Sequence, residues 1–167
     1  MSQPQAYVPP PRGGRRTPPR VPEQPPRRRH RRSAAAIGAV PLFAGLPTRW
    51  LERVAREADE LTFSPGERIV EEGMLGETLF VVLEGQGRVL RGGRRVGEVV
   101  PGDFFGELSV IDGGPRSATV VAETPMRVLR LYRRALLALW RSEPRAALRV
   151  LDGIVRRLRE VERSHAG

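Results

Sequence analysis

Residues 104–120 read Phe-Phe-Gly-Glu-Leu-Ser-Val-Ile-Asp-Gly-Gly-Pro-Arg-Ser-Ala-Thr-Val, and this stretch decides how the remainder is read. Phe104 and Phe105 suit the end of a strand, Gly106 a turn, and Glu107 the start of a helix of one or two turns. A second turn, Asp112-Gly113-Gly114-Pro115, delivers Arg116 and Ser117 into a β-branched strand. The first amides of a short helix lack intrahelical partners, so free N–H groups and the dipole both favour an anion there. Arg116 follows Glu107 by nine residues, across a loop that can fold back on that helix end. A guanidinium in that place would fork onto a phosphate. A carboxylate beside a phosphate is repelled, so Glu107 needs another partner, such as a sugar hydroxyl. Phosphate and ribose together make a nucleotide.

The stretch resembles the phosphate-binding cassette of the cyclic nucleotide-binding domain family. The family pattern is Phe-Gly-Glu-Leu/Ile-Ala/Ser, a spacer, then Pro-Arg-Ser/Thr/Ala-Ala-Thr. It is met here by Phe105, Gly106, Glu107, Leu108, Ser109, Pro115, Arg116, Ser117, Ala118 and Thr119. The resemblance covers residues 40–163 or so and implies a fold that is mainly β with flanking helices. That fold is an eight-stranded antiparallel β-roll, jelly-roll-like, with an N-terminal helix, a short phosphate-binding helix and two C-terminal helices. It also implies a ligand set of Gly106, Glu107, Leu108, Ser109, Arg116, Ser117 and Ala118. Gly106 would let backbone approach the ligand, the amides of Leu108 and Ser109 and the Ser117 hydroxyl would meet phosphate oxygens, Arg116 would neutralise them, and Glu107 would accept from the ribose 2′-OH. For the base, Val81 and Leu83 with Val96 or Val99 would line an apolar slot, closed by the last helix with Val155, Arg156 or Arg159 nearest. Cyclic AMP is the ligand the resemblance favours; cyclic GMP stays open. No cofactor is expected.

Composition narrows the alternatives. The chain has 167 residues and a net charge of +10, and its 29 basic residues are all arginine. Residues 1–32 hold nine of those arginines against the single acid Glu23, a net +8, which leaves +2 for the other 135 residues. Cysteine is absent, which excludes a disulfide framework and thiol chemistry and fits a cytoplasmic protein. The two histidines, His30 and His165, lie near the ends, so no internal histidine metal site is expected. No nucleophile–base pair or metal cluster stands out, and a catalytic role is not expected.

Along the chain, residues 1–33 are Pro/Arg-rich, with nine of the sixteen prolines before residue 33, and read as a disordered basic tail. Residues 34–167 read as the cyclic nucleotide-binding domain, with the roll over about 59–131 and the C-terminal helices over about 132–163. The run Ala34–Leu46 follows six basic-rich residues but is interrupted by Pro41, which argues against a secretory signal, and no stretch approaches the roughly 20 apolar residues of a membrane span. Leu42, Phe43 and Leu46 would cap an edge of the roll. Thr48 reads as the N-cap of a helix over 49–58, with Trp50, Leu51, Val54, Ala55 and Ala58 at helical spacing. Short apolar runs separated by glycine turns follow from Leu61 to Leu131. Gly87 stands where the family usually has a β-branched residue, which suggests a bulge or a weakened strand.

After Leu131 the period is helical again. Arg133–Trp140 forms one helix, Ser142 offers an N-cap, and the last helix runs to about Arg163. Ala147, Leu151, Ile154, Leu158 and Val161 make a short heptad-like seam that suits either the chain's own roll or a homodimer. The chain reads as a sensor that relays ligand binding through its C-terminal helices to a protein effector. Without a helix-turn-helix segment after the last helix, sequence-specific DNA binding is not expected. Two other readings stand beside this one: a scaffold whose cassette is ligand-silent, and a nucleic-acid binder acting through the basic tail.

Overall fold

The computed structural model describes residues 34–165; the expectation of a disordered basic tail falls on residues outside them. Among the described residues there are eight strands and five α-helices, with most of the strands grouped in the middle. Helix α1 (Ala34–Gly38), a 3-10 turn (Pro41–Phe43) and α2 (Thr48–Glu57) precede the strands. The strands are β1 (Asp59–Phe63), β2 (Arg68–Val70), β3 (Thr78–Glu84), β4 (Gly87–Arg91), β5 (Arg94–Val99) and β6 (Phe104–Phe105), then β7 (Thr119–Ala122) and β8 (Met126–Tyr132). Helix α3 (Glu107–Asp112) lies between β6 and β7, and α4 (Arg133–Ser142) and α5 (Pro144–His165) close the chain. No helix among the described residues is long and apolar enough to cross a membrane.

The strands form two four-stranded antiparallel sheets, ordered β1-β8-β3-β6 and β2-β7-β4-β5. This is the antiparallel roll with flanking helices that the glycine-punctuated runs predict. One layer of apolar side chains fills the space between the sheets: Ile69, Phe80, Val82, Val99, Phe105, Val120, Ala122, Met126 and Val128. A second layer lies on the outer face of the first sheet, where Val81, Leu79, Phe104, Leu129 and Leu131 meet Ile37, Phe43, Trp50, Leu136, Leu139 and Val150 of the helices. Strand β3 is therefore buried on both faces, which is why it reads as an unbroken apolar run rather than an alternation. Alternation still decides where each side chain goes: Phe80 and Val82 face the roll interior, Leu79 and Val81 the helices.

Three local expectations are corrected. Thr48 is the first residue of α2 and makes no capping bond; the Pro47 carbonyl accepts from Trp50 N–H at 2.9 Å instead. Ser142 ends α4, and Glu143 alone separates α4 from α5. Gly87 is not at a bulge. It pairs with both Val99 and Ala122, and a Cβ there would stand 3.1 Å from Val121 O and from Val99 Cγ2, so close packing accounts for the glycine. The register shift in that hairpin falls between Val89 and Leu90.

Helix α5 docks on the roll through a glycine. A Cβ at Gly153 would overlap the Phe104 ring, so the missing side chain is the notch that the ring fills. The heptad-like seam is rotated from the expected one. Ile154 packs on the outer apolar layer, whereas Leu148, Leu151, Val155 and Leu158 form the exposed line of α5.

Replacing Phe43, which is fully enclosed by the outer layer, with alanine should cost about 3–5 kcal/mol in a denaturant melt, against roughly 0.5 kcal/mol or less for Arg68→Ala, whose ion pair with Glu71 is exposed. Gly153→Ala is the sharper case. Alanine is the better helix former by about 1 kcal/mol, yet the variant should melt earlier and expose α5 amides to hydrogen exchange; a stabilised variant would show that the ring does not seat α5.

Candidate functional site

The site is assembled by the turn into α3, the loop before β7, the start of β3 and the underside of α5. Gly106 is left-handed, with φ 84°, and a Cβ there would also sit 2.7 Å from Thr78 O, so both conformation and space demand glycine. Gly113 ends the helix in the same conformation, its N–H donating to Ser109 O at 2.9 Å. The loop that carries Arg116 is laced to residues 73–75: Gly73 N–H donates to Arg116 O and Arg116 N–H to Met74 O, both at 2.8 Å, and Leu75 bridges Pro115. From the other side Arg91 Nε donates to Ser117 O at 3.2 Å.

Arg116 is 6% exposed. Its Nη1 donates to Thr78 O at 2.7 Å and to Gly106 O at 3.1 Å, and its Nη2 donates to Thr78 Oγ1 at 2.8 Å. The guanidinium carbon stands 5.8 Å from the centroid of the Phe80 ring, which stacks in turn on Phe105 at 5.2 Å. A guanidinium has five N–H donors. The three bonds leave the edge formed by Nε and the second Nη2 hydrogen without a hydrogen-bond partner among the described residues. Gly76 lies against that edge, and a Cβ there would overlap Nε, Cζ and Nη2. Burial pushes the pKa of Arg116 below the usual arginine value, and the negative charge of Glu107 opposes that shift.

Glu107 is 5% exposed and does not pair with Arg116. Its Oε1 accepts from Arg157 Nη1 at 2.7 Å, so a salt bridge joins the cassette helix to α5. Arg157 Nη2 also donates to Phe104 O, and the guanidinium carbon lies 4.9 Å from the centroid of the Phe104 ring. Arg157 stands one turn beyond Gly153, so notch and salt bridge share one face of α5.

Of the residues singled out from sequence, Gly106, Glu107 and Arg116 converge. Leu108 is partly exposed on α3 and Ser109 is buried beneath it; Ser117 is exposed and Ala118 half-buried just before β7. The base-slot residues do not converge. Val99 faces the roll interior, Val81 and Leu83 pack on the helical side of β3, and Val96 is exposed on β5. Val155, Arg156 and Arg159 point away to solvent, and Arg157 is the α5 side chain that reaches the cassette. Sequence reasoning also missed Thr78, Gly76 and Phe80. Arg157 continues the buried face of α5, where Ala146, Val150 and Gly153 step by four and three and the next step of four lands on 157. Among the described residues, no group of three or more His, Cys, Asp or Glu side chains is placed to hold a metal ion.

Comparison with known proteins places this geometry in a family. The cyclic nucleotide-binding domain model matches residues 60–143, half of the chain. A cyclic AMP receptor protein from Thermus thermophilus is 35% identical over 127 residues, which are 73% of this chain and 59% of that protein. The crystal structure of the Thermus thermophilus catabolite activator protein superposes with a TM-score of 0.65 at 34% identity, covering 75% of this chain and 62% of that one. The regulatory subunit of a cAMP-independent protein kinase A from Trypanosoma cruzi, bound to guanosine, superposes with a TM-score of 0.55 at 33% identity, covering 59% and 37%. The chain thus spans less than two thirds of the curated relatives it matches, 59%, 31% and 24% of the first three. A cassette built of Phe105, Gly106, Glu107 and Arg116, in an eight-stranded roll that the family model matches over its strands, makes this chain a member of the cyclic nucleotide-binding domain family.

Proposed function

We propose that the chain is a non-enzymatic sensor whose ligand is a cyclic nucleotide, cyclic AMP before cyclic GMP. The observation that carries this is the buried Arg116, fixed on one edge by Thr78 and Gly106 and with uncommitted donors on the Nε edge, where Gly76 leaves room, beside the equally buried carboxylate of Glu107. The cyclic phosphate takes the open edge, with the Leu108 and Ser109 amides, the Ser117 hydroxyl and the Ala118 backbone completing the cradle. The ribose 2′-OH donates to the second oxygen of Glu107, since the first already accepts from Arg157. Charge supports the assignment. Glu107, Arg116 and Arg157 together carry one net positive charge, which a cyclic phosphodiester neutralises. The preference for cyclic AMP rests on the Thermus relative, which is named a cyclic AMP receptor.

The response passes through α5. Its Arg157 touches the ribose-side carboxylate, and its exposed line Leu148, Leu151, Val155 and Leu158 offers an apolar face to a second copy or to an effector. A ligand that changes the Glu107–Arg157 contact shifts the population of docked α5, and with it that face. Zero cysteines suit a reducing cytoplasm as the place of action. A second reading has one observation in its favour: the Trypanosoma cruzi structure carries guanosine in the regulatory subunit of a protein kinase A described as cAMP-independent.

Titration calorimetry with cyclic AMP, cyclic GMP and guanosine separates these readings. The wild type should bind a cyclic nucleotide more tightly than guanosine, and Arg116→Ala should weaken that binding about tenfold to a hundredfold, the range for lost charge-assisted hydrogen bonds. Gly76→Ala should weaken it by a similar factor although it removes no ligand contact, because the new methyl group displaces the guanidinium edge. Equal binding by wild type and Arg116→Ala would sink the assignment, and a preference for guanosine would favour the nucleoside reading.

A further inference from the structure

Strand β8 turns into α4 at Arg133, and this one residue touches three elements. Its backbone N–H donates to Glu77 O at 2.8 Å. Its side-chain Nε donates to Val110 O at 2.7 Å. It is itself the first residue of α4. Each contact leads to the cassette. Glu77 precedes Thr78, whose carbonyl and hydroxyl hold Arg116. Val110 lies in the last turn of α3, where carbonyls have no intrahelical partner and a cationic donor is favourable.

Helix α3 has six residues and ends in left-handed glycines on both sides, so it is too short to hold itself in place and takes its position from what it touches. It packs on β3, whereas α4 packs on β8, α2 and α5, and α3 and α4 share little packing of their own. The bond from Arg133 to Val110 O is thus a direct polar link between the cassette helix and the first C-terminal helix. We infer that Arg133 is a positioning residue that makes α3 and the start of α4 move as one body, so that a ligand's hold on α3 is transmitted to α4 and α5 through this tether. The inference rests on the nucleotide reading only for what pulls on α3; the tether itself belongs to the ligand-free chain. It gives the C-terminal helices a second connection to the cassette, at the other end of α3 from the Glu107–Arg157 salt bridge.

Amide hydrogen exchange on the full chain tests it, with wild type, Arg133→Ala and Arg133→Lys, each with and without saturating cyclic AMP. Without nucleotide, Arg133→Ala should speed exchange about fivefold over residues 110–113 and 133–137, the effect of one lost hydrogen bond, and leave α2 unchanged. With cyclic AMP, wild type should gain protection in both α3 and α4, Arg133→Ala in α3 alone, and Arg133→Lys, which keeps a cationic donor, in both. Unaltered ligand-free exchange in Arg133→Ala overturns the tether, and an α4 response as large in Arg133→Ala as in wild type overturns the transmission. A wild type that gains no protection from cyclic AMP counts against the nucleotide reading, and the ligand-free arm then decides the tether alone.

Discussion

The structure around the cassette depends on keeping one guanidinium buried. An arginine removed from water is costly unless its donors find acceptors, and Arg116 finds them at the first residue of β3 and at the glycine before α3. Those acceptors constrain the residues nearby. Gly106 must be a glycine because its carbonyl approaches the guanidinium in a left-handed turn. Gly76 must be one because the opposite edge of the same group lies against it. Phe80 supplies the ring beneath, and the bridge between Leu75 and Pro115 fixes the loop that carries the arginine. The arrangement commits three donors to the protein and leaves those of the Nε edge uncommitted, which suits a bidentate acceptor such as a phosphate.

The fold places this group where two apolar layers meet the solvent. The roll interior holds Phe80 below the guanidinium with Phe105 stacked on it, and the helical layer holds Phe104, which lies under Arg157 instead. Phe104 and Phe105 are adjacent in a two-residue strand, so their rings fall on opposite faces and join the two layers. Phe105 stacks on Phe80, the ring beneath Arg116, and Phe104 seats Gly153 and Arg157 of α5. The cassette is thus bonded directly to the last helix, through Phe104 O and Glu107.

Much of this was legible in the sequence, for a physical reason. The cassette is built from residues whose type is set by local geometry: a glycine for a positive φ, a proline and glycines for a turn, a carboxylate and an arginine of opposite charge. Such constraints are written at fixed spacing. The eight strands were legible in the same way, from glycine turns. What was not legible depended on parity and on rotation. Thr78–Glu84 is apolar on both faces, so nothing in the run says whether Val81 or Val82 looks into the roll, and Val81 and Leu83, read as lining a base slot, lie on the helical face. On α5, arginines occupy positions 156, 157 and 159, and composition does not rank them. Only the rotation set by Gly153 against Phe104 selects Arg157. The same rotation turns Ile154 inward and leaves Val155 outside.

The most direct measurement is the ratio of affinities of the purified chain for cyclic AMP and 2′-deoxy cyclic AMP, read by titration calorimetry. The two molecules share the phosphate and the base and differ by one hydroxyl. If Glu107 is the buried acceptor for that hydroxyl, cyclic AMP binds and its deoxy analogue binds roughly tenfold or more weakly, because a buried carboxylate oxygen then loses its donor. Equal affinities, or no binding of either, would contradict the pairing of Glu107 with Arg116 as one nucleotide cradle.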